Sequence, residues 1–335
     1  MWTILPLIAT NLLMVRFLAP NLLGKQLVAL IVGLVFLVLI KLSVSLNWWK
    51  QKQLIYGASL IFLLSPILLG GIIRGSSRWL ELGGFSIQPS ELTRPFIILS
   101  LALFLEKRSI KNWLDFLKIV LLIALPVLLI LIQPDLGSAA ILALVLLVML
   151  WFHFPSIKHF LGLAILGLAG LLLFGGLFFH SYQITRLTQF LNQSKDPLGA
   201  GYNLIQAKIA IGSGSWLGRG VGQGRQTQLA YLPEKHTDFV FASIAEETGF
   251  LGVGFLLFFY YLFLKTLQNR LEPQSDSVTS YLKLGIFLAF FIQFSINVAM
   301  NLGLFPVVGV PLPLVSYGGS SLLSSLIGLG LFYAL

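Results

Sequence analysis

The stretch QLVALIVGLVFLVLIKLSVSL, residues 26–46, carries a single charged side chain, Lys41. As a helix rising 1.5 Å per residue it is long enough to cross a hydrocarbon core of about 30 Å, so it reads as a membrane span. Working outward, the same pattern predicts ten spans, at about 2–18, 26–46, 54–73, 91–106, 114–133, 136–152, 159–180, 239–264, 282–303 and 318–335. With 57% hydrophobic residues, 10% charged residues and a mean hydropathy of +0.92, the chain is excluded from the ordinary soluble globular class. The expected fold is all-α and polytopic: one integral membrane domain over 1–335, with a long external segment, 181–238, between the seventh and eighth helices. No fixed-period repeat or shift of composition marks a second domain. Without cysteine there is no disulfide, iron–sulfur ligation or thiol catalysis. The first segment, Trp2–Leu18, lacks a basic start and a small-residue cleavage site, and so reads as the first span.

The net charge of +10 is scattered through loops and not gathered in a patch, so topology explains it and no nucleic-acid partner is expected. Lys50, Lys52, Lys107, Arg108, Lys111, Lys158, Lys265, Arg270 and Lys283 fall on one set of short loops. Arg16, Lys25, Arg74, Arg78 and Arg94 fall on the other. The positive-inside bias makes the first set cytoplasmic, with both termini, and puts 181–238 outside.

Four polar or glycine-rich stretches then share the outer side: RGSSRWLELGGFSIQPSEL (74–92), QPDLGSA (133–139), GYNLIQAKIAIGSGSWLGRGVGQGRQTQLAYLPEKHTDFVFASIAEE (201–247) and PVVGVPLPLVSYGGSS (306–321). Irregular backbone near a bilayer persists where it is packed in protein or lines a wet cavity. In content, order and side these motifs resemble the SEDS proteins, the shape, elongation, division and sporulation family of bacterial peptidoglycan glycosyltransferases, over nearly the whole chain. The closing VVGVPLPLVSYGGSS is more similar to the RodA branch than to the FtsW branch.

That resemblance implies an enzyme of the bacterial cytoplasmic membrane that joins two molecules of lipid II, a lipid-linked disaccharide pentapeptide, by attack of a sugar hydroxyl on an anomeric carbon. Undecaprenyl pyrophosphate leaves. It also implies membrane lipid and a class B penicillin-binding protein, a transpeptidase, as partners. A lipid II flippase and a non-catalytic scaffold for that transpeptidase are the alternatives, and neither needs a base. The reaction requires a carboxylate to take the hydroxyl proton and cations to stabilise the pyrophosphate. Asp238, in LPEKHTDF, stands where the family carries its proposed catalytic aspartate; the competing reading is a helix N-cap by Thr237 or Asp238.

The cations on or near the outer side are Arg74, Arg78, Arg94, Lys208, Arg219 and Arg225. Arg78 adjoins Trp79, and Arg94 lies one turn beyond Glu91, where a guanidinium suits phosphate and an ion pair with Glu91 is the competing reading. The family usually has lysine at the position of Arg94, serine at that of Ala207 and a small polar residue at that of Arg225. Substrate-binding candidates are thus Arg74, Arg78, Trp79, Glu91, Arg94 and Asp135 from the first two motifs. Lys208, Gln226, Glu234, His236, Ser316 and Ser320 come from the last two. Asp135 reads rather as an N-cap, with Ser138 nearby, than as a cavity wall. Glu246 or Glu247, about two turns below Asp238, is expected to bind a buried cation or line the cavity. A divalent cation, Mg or Mn, between Glu234 and Asp238 is compatible with the motif, but two carboxylates do not complete a coordination sphere. The glycines of GSGSWLGRG and SYGGSS read as turn chemistry sooner than as a phosphate cradle. Asn297 and Asn301 share a helix face and read as bonding neighbouring helices.

Overall fold

A computed structural model describes residues 2–69, 78–106, 113–153, 162, 201–271 and 277–335. The helices are α1 (Ile4–Leu18), α2 (Leu23–Ser43), α3 (Lys52–Leu69), α4 (Pro89–Leu105), α5 (Trp113–Ile132), α6 (Leu136–His153), α7 (Tyr202–Ser213), α8 (Arg225–Gln228), α9 (Val240–Gln268), α10 (Val278–Leu302) and α11 (Gly319–Ala334). Every expected span except the seventh coincides with one of them to within a few residues; 159–180 apart from residue 162 lies outside the described residues, as does 181–200 of the long external segment. Among the described helices, five are long and apolar enough to cross a membrane outright, and shorter apolar helices accompany them. The chain is an integral membrane protein.

The all-α expectation needs one addition: Leu80–Leu82 (β1) and Phe85–Ile87 (β2) form an antiparallel hairpin, with Leu82 opposite Phe85. Gly83 and Gly84, both at positive φ, make its two-residue turn. Gly-Gly between short alternating segments is a hairpin signal.

Packing divides the chain into two compact units. Unit 1 comprises Met1–Val32, Ser181–Asn269 and Phe290–Ser325; unit 2 comprises Gly33–His180, Arg270–Ala289 and Leu326–Leu335. In unit 2, α3 packs on α4 and α5, and α6 on α4 and α5. Helix α2 meets α11 closely there, since a Cβ on Gly33 would overlap Leu326 and one on Gly330 would lie 3.2 Å from the Cα of Leu37. Small residues at such crossings let backbones approach where lipid supplies no hydrophobic drive. In unit 1, α9 packs on α7 and α1, and α8 on α7 and α9.

The eighth expected span is not one continuous helix. At Gly249 the backbone turns to φ 67° and ψ −165°, a conformation essentially confined to glycine, and α9 breaks into Val240–Thr248 and Phe250–Gln268. In an unbroken helix the amides of residues 250 and 251 would bond the carbonyls of 246 and 247. Here the 215–220 loop takes both sides of those lost bonds. Arg219 and Gly220 donate to the Glu246 and Glu247 carbonyls (2.9 and 3.0 Å), and Phe250 and Leu251 donate to the carbonyls of Ser215 and Trp216 (2.9 and 3.2 Å). These four groups each have a partner, as a low-dielectric setting demands. A Cβ on Gly214, Gly218 or Gly249 would fall on the opposing backbone, so Gly214 and Gly218 of GSGSWLGRG, with Gly249 itself, are the condition for this interlock. The Arg219 and Gly220 amides are therefore committed to carbonyls and do not cradle a phosphate.

Candidate active site

In unit 1 the LPEKHTDF motif forms a tight turn ahead of α9. Thr237 and Phe239 both donate their amides to the Glu234 carbonyl (3.2 Å each), and the Thr237 hydroxyl reaches Glu234 Oε2 at 3.1 Å. Three successive carbonyls leave this turn already held. That of His236 accepts the Tyr317 amide at 2.8 Å, that of Thr237 accepts the Ser316 hydroxyl, and that of Asp238 accepts the side-chain amides of Asn297 and Asn301, each at 3.0 Å. The His236 and Tyr317 rings lie 5.5 Å apart.

The Asp238 side chain is half-buried. A Cβ on Gly309 would stand 3.4 Å from its Oδ2, so the 306–313 segment passes directly beside the carboxylate. The assigned N-cap of α9 is Phe239, so Asp238 stands one residue ahead of the cap position. Asn297 and Asn301 do bond across elements, as expected, and their target is the main chain of Asp238 itself.

The closing motif is clamped from the first two helices, which the sequence reading missed. Asn11 Nδ2 donates to the carbonyls of Val315 and Ser316 (2.9 and 2.8 Å), Gln26 Nε2 donates to Asn11 Oδ1 (3.0 Å), and Gln26 Oε1 accepts the Gly318 amide (3.2 Å). Both side chains are fully buried. A lone amide in an apolar span was the available signal, because such a group must find a partner inside the protein. Ser316 accepts the Leu312 amide at 2.8 Å besides donating to Thr237, so its hydroxyl orders the motif; Ser320 is buried in the first turn of α11.

Glu246 and Glu247 are buried at the end of the first α9 segment. The Glu246 carboxylate accepts the amides of Gln226 (2.7 Å) and Thr227 (3.0 Å), satisfying the start of α8, and Glu247 Oε1 faces the Thr227 hydroxyl at 3.4 Å. An anionic oxygen at exposed helix amides is favoured by both hydrogen bonding and the helix dipole. Lys235 donates to the Thr227 carbonyl, and burial pushes its ammonium below the ordinary lysine range, partly opposed by Glu247 and Glu246. The charge expected near this pair is thus lysine. Gln226, a substrate candidate, contributes its main chain to this structural knot.

Lys208 is exposed on α7, and its Nζ would lie 2.8 Å from a Cβ on Gly303, just past the C-terminus of α10, where helix carbonyls favour a cation. Arg219 Nε donates to the Ser213 carbonyl at 3.0 Å, and Arg225 is exposed at the first position of α8. Among the described residues no three His, Cys, Asp or Glu side chains gather to hold a metal ion, and Thr237 engages Glu234.

Unit 2 holds the other candidates. Asp135 caps α6 by accepting the Ser138 amide on Oδ1 at 3.1 Å, as expected. Its Oδ2 also accepts Gln88 Nε2 (2.7 Å) and the Ser90 hydroxyl (3.3 Å), and Arg78 Nη1 stands 4.0 Å from Oδ1. The QPSEL and QPDLG motifs are thereby one network, with Trp79 half-buried just ahead of β1. Arg94 and Glu91 form a buried ion pair at 2.6 Å. Arg74 lies outside the described residues. Removing one member of a buried pair strands the other, so Arg94→Ala is expected to cost about 3–5 kcal/mol, and joint replacement of both by leucine to recover most of it. Melting temperatures in detergent check both.

Fold and site together define a polytopic membrane protein whose half-buried carboxylate is held at a helix junction beside a proline- and glycine-rich segment. Residues 9–335 match the family model of the FtsW, RodA and SpoVE cell cycle proteins, and the chain belongs to that family. It is 35% identical over 316 residues, 92% of this chain and 82% of the relative, to the probable peptidoglycan glycosyltransferase FtsW of Trichlorobacter lovleyi. It is 39% identical over 282 residues, 83% of this chain and 75% of the relative, to the peptidoglycan glycosyltransferase MrdB of Escherichia coli K12. Among solved structures, a chain from a peptidoglycan synthase complex, described for its coordination of polymerization and crosslinking, matches with a TM-score of 0.83 and 32% identity over 99% of this chain and 96% of that one. Names from both branches of the family stand among these relatives.

Proposed function

We propose that this chain is a peptidoglycan glycosyltransferase that polymerises lipid II into glycan strands at the outer face of the bacterial cytoplasmic membrane, with Asp238 as general base. The carrying observation is the placement of Asp238: a half-buried carboxylate at the head of α9, whose main chain is fixed by two buried amides and whose Oδ2 faces the backbone at Gly309.

In the reaction, a sugar hydroxyl of one lipid II attacks the anomeric carbon of the other. The O–H proton passes to Asp238, the new C–O bond forms, and the bond to pyrophosphate breaks with its electron pair leaving on undecaprenyl pyrophosphate. A pyrophosphate leaves without an acid to protonate it, so one carboxylate and nearby positive charge suffice. Within unit 1 the reading assigns that charge to Lys208, since Arg219 is turned to Ser213. Both termini are cytoplasmic in this reading, the branch is that of RodA, and the partner is a class B penicillin-binding protein that crosslinks the strands.

Purified protein given labelled lipid II, with and without that transpeptidase, is expected to yield a ladder of glycan polymer. Movement of lipid II across vesicles without polymer would establish the flippase alternative, and polymer made only when an independent polymerase is added would establish a scaffold.

A further inference from the structure

Helix α10 carries three buried amides four residues apart, Gln293, Asn297 and Asn301, and therefore on one face. Gln293 Nε2 donates to the Pro311 carbonyl at 3.0 Å. Asn301 Nδ2 donates to the Asp238 carbonyl at 3.0 Å, while its Oδ1 accepts the Ala242 amide at 3.2 Å. Between them, Asn297 Nδ2 donates both to the Asp238 carbonyl (3.0 Å) and to the Val310 carbonyl (2.7 Å). The amide face thus grips the 310–311 segment at one end and the start of α9 at the other, and Asn297 holds both at once. Val310 follows Gly309, the residue whose backbone faces the Asp238 carboxylate.

We propose that Asn297 is a positioning residue for glycosyl transfer: its one amide group fixes the gap between the Asp238 carboxylate and the 309–310 backbone, the gap an acceptor hydroxyl must enter. The inference rests on the reading of Asp238 as the base. The chemistry of the side chain supports it, because an asparagine NH₂ has two hydrogens and can serve two buried carbonyls from one nitrogen, whereas a serine hydroxyl has one and a leucine none. Without both donors the Val310 carbonyl would be left bare or the Asp238 carbonyl would keep Asn301 alone, and relaxation to cover the loss would move the carboxylate against its wall. A displacement of about 1 Å costs up to roughly a hundredfold in rate.

The test is steady-state polymerisation of labelled lipid II by Asn297→Ser and Asn297→Gln proteins, with melting temperature measured alongside. Serine keeps one donor; glutamine keeps both but carries them one methylene further out. The expected result for each folded variant is a fall in kcat of about 10- to 100-fold with KM changed less than about twofold, the signature of misplaced chemistry and not of weakened binding. A folded variant with kcat near wild type, a loss confined to KM, or failure of both variants to fold would each overturn the positioning role. Wild-type turnover by Asp238→Asn would instead remove the base assignment beneath it, whereas an inactive Asp238→Asn beside a fully active Asn297→Gln would remove the positioning claim alone.

Discussion

Asp238→Asn protein is expected to fold, to bind lipid II much as wild type does, and to polymerise it slower by about 10²- to 10⁴-fold, the usual contribution of a general base. Asparagine keeps the size of the side chain and leaves the Asp238 carbonyl free to accept from Asn297 and Asn301, so the grip on the main chain is unchanged. The substitution removes the negative charge and, with it, the capacity to take a proton. The measurements are lipid II binding, melting temperature and the rate of glycan formation on the same preparation. A variant that polymerises at the wild-type rate would leave Asp238 a structural residue and return the flippase and scaffold readings to contention.

The second large effect concerns folding. Gly249→Ala places a Cβ against the backbone of Trp216, Leu217 and Gly218 and forces alanine into a conformation that costs about 1–3 kcal/mol even without the overlap. Relief of that overlap would part the loop from the broken helix and expose amides and carbonyls of both. Loss of folded protein is the expected outcome, seen as absence of a monodisperse peak in detergent. Gly212→Ala, in the GSGSWLGRG motif whose loop meets Gly249, is the comparison: it lies within α7 with open space at its Cβ position, and is expected to be neutral or to gain up to about 1 kcal/mol from helix propensity. Equal behaviour of the two variants would contradict the interlock.

These cases mark where reading residues in order succeeds and where it stops. Asp135 as a cap was legible because a capping aspartate bonds an amide three residues on. The second use of its carboxylate, on Gln88 and Ser90, was not, since those partners lie 47 and 45 residues away. Glu246 shows the same limit: burial demanded a partner, and the sequence offered no means of choosing between a cation and the amides of α8. The break at Gly249 left no mark in the apolar pattern, because glycine is common within spans and only the incoming 215–220 loop turns this one into a junction.

Sequence alone determined that the chain lives in a membrane, roughly where the described spans lie, and which motifs carry the family likeness. Hydrophobic run length and local capping act over a few residues, so order along the chain suffices to read them. Tertiary structure decided what holds Asp238 in place, that the glycine motif mends a broken helix, and that Asn11 and Gln26 clamp a turn some three hundred residues away. In a medium without water each buried polar group must be satisfied by protein, and which group answers is a matter of folded proximity that no local pattern encodes.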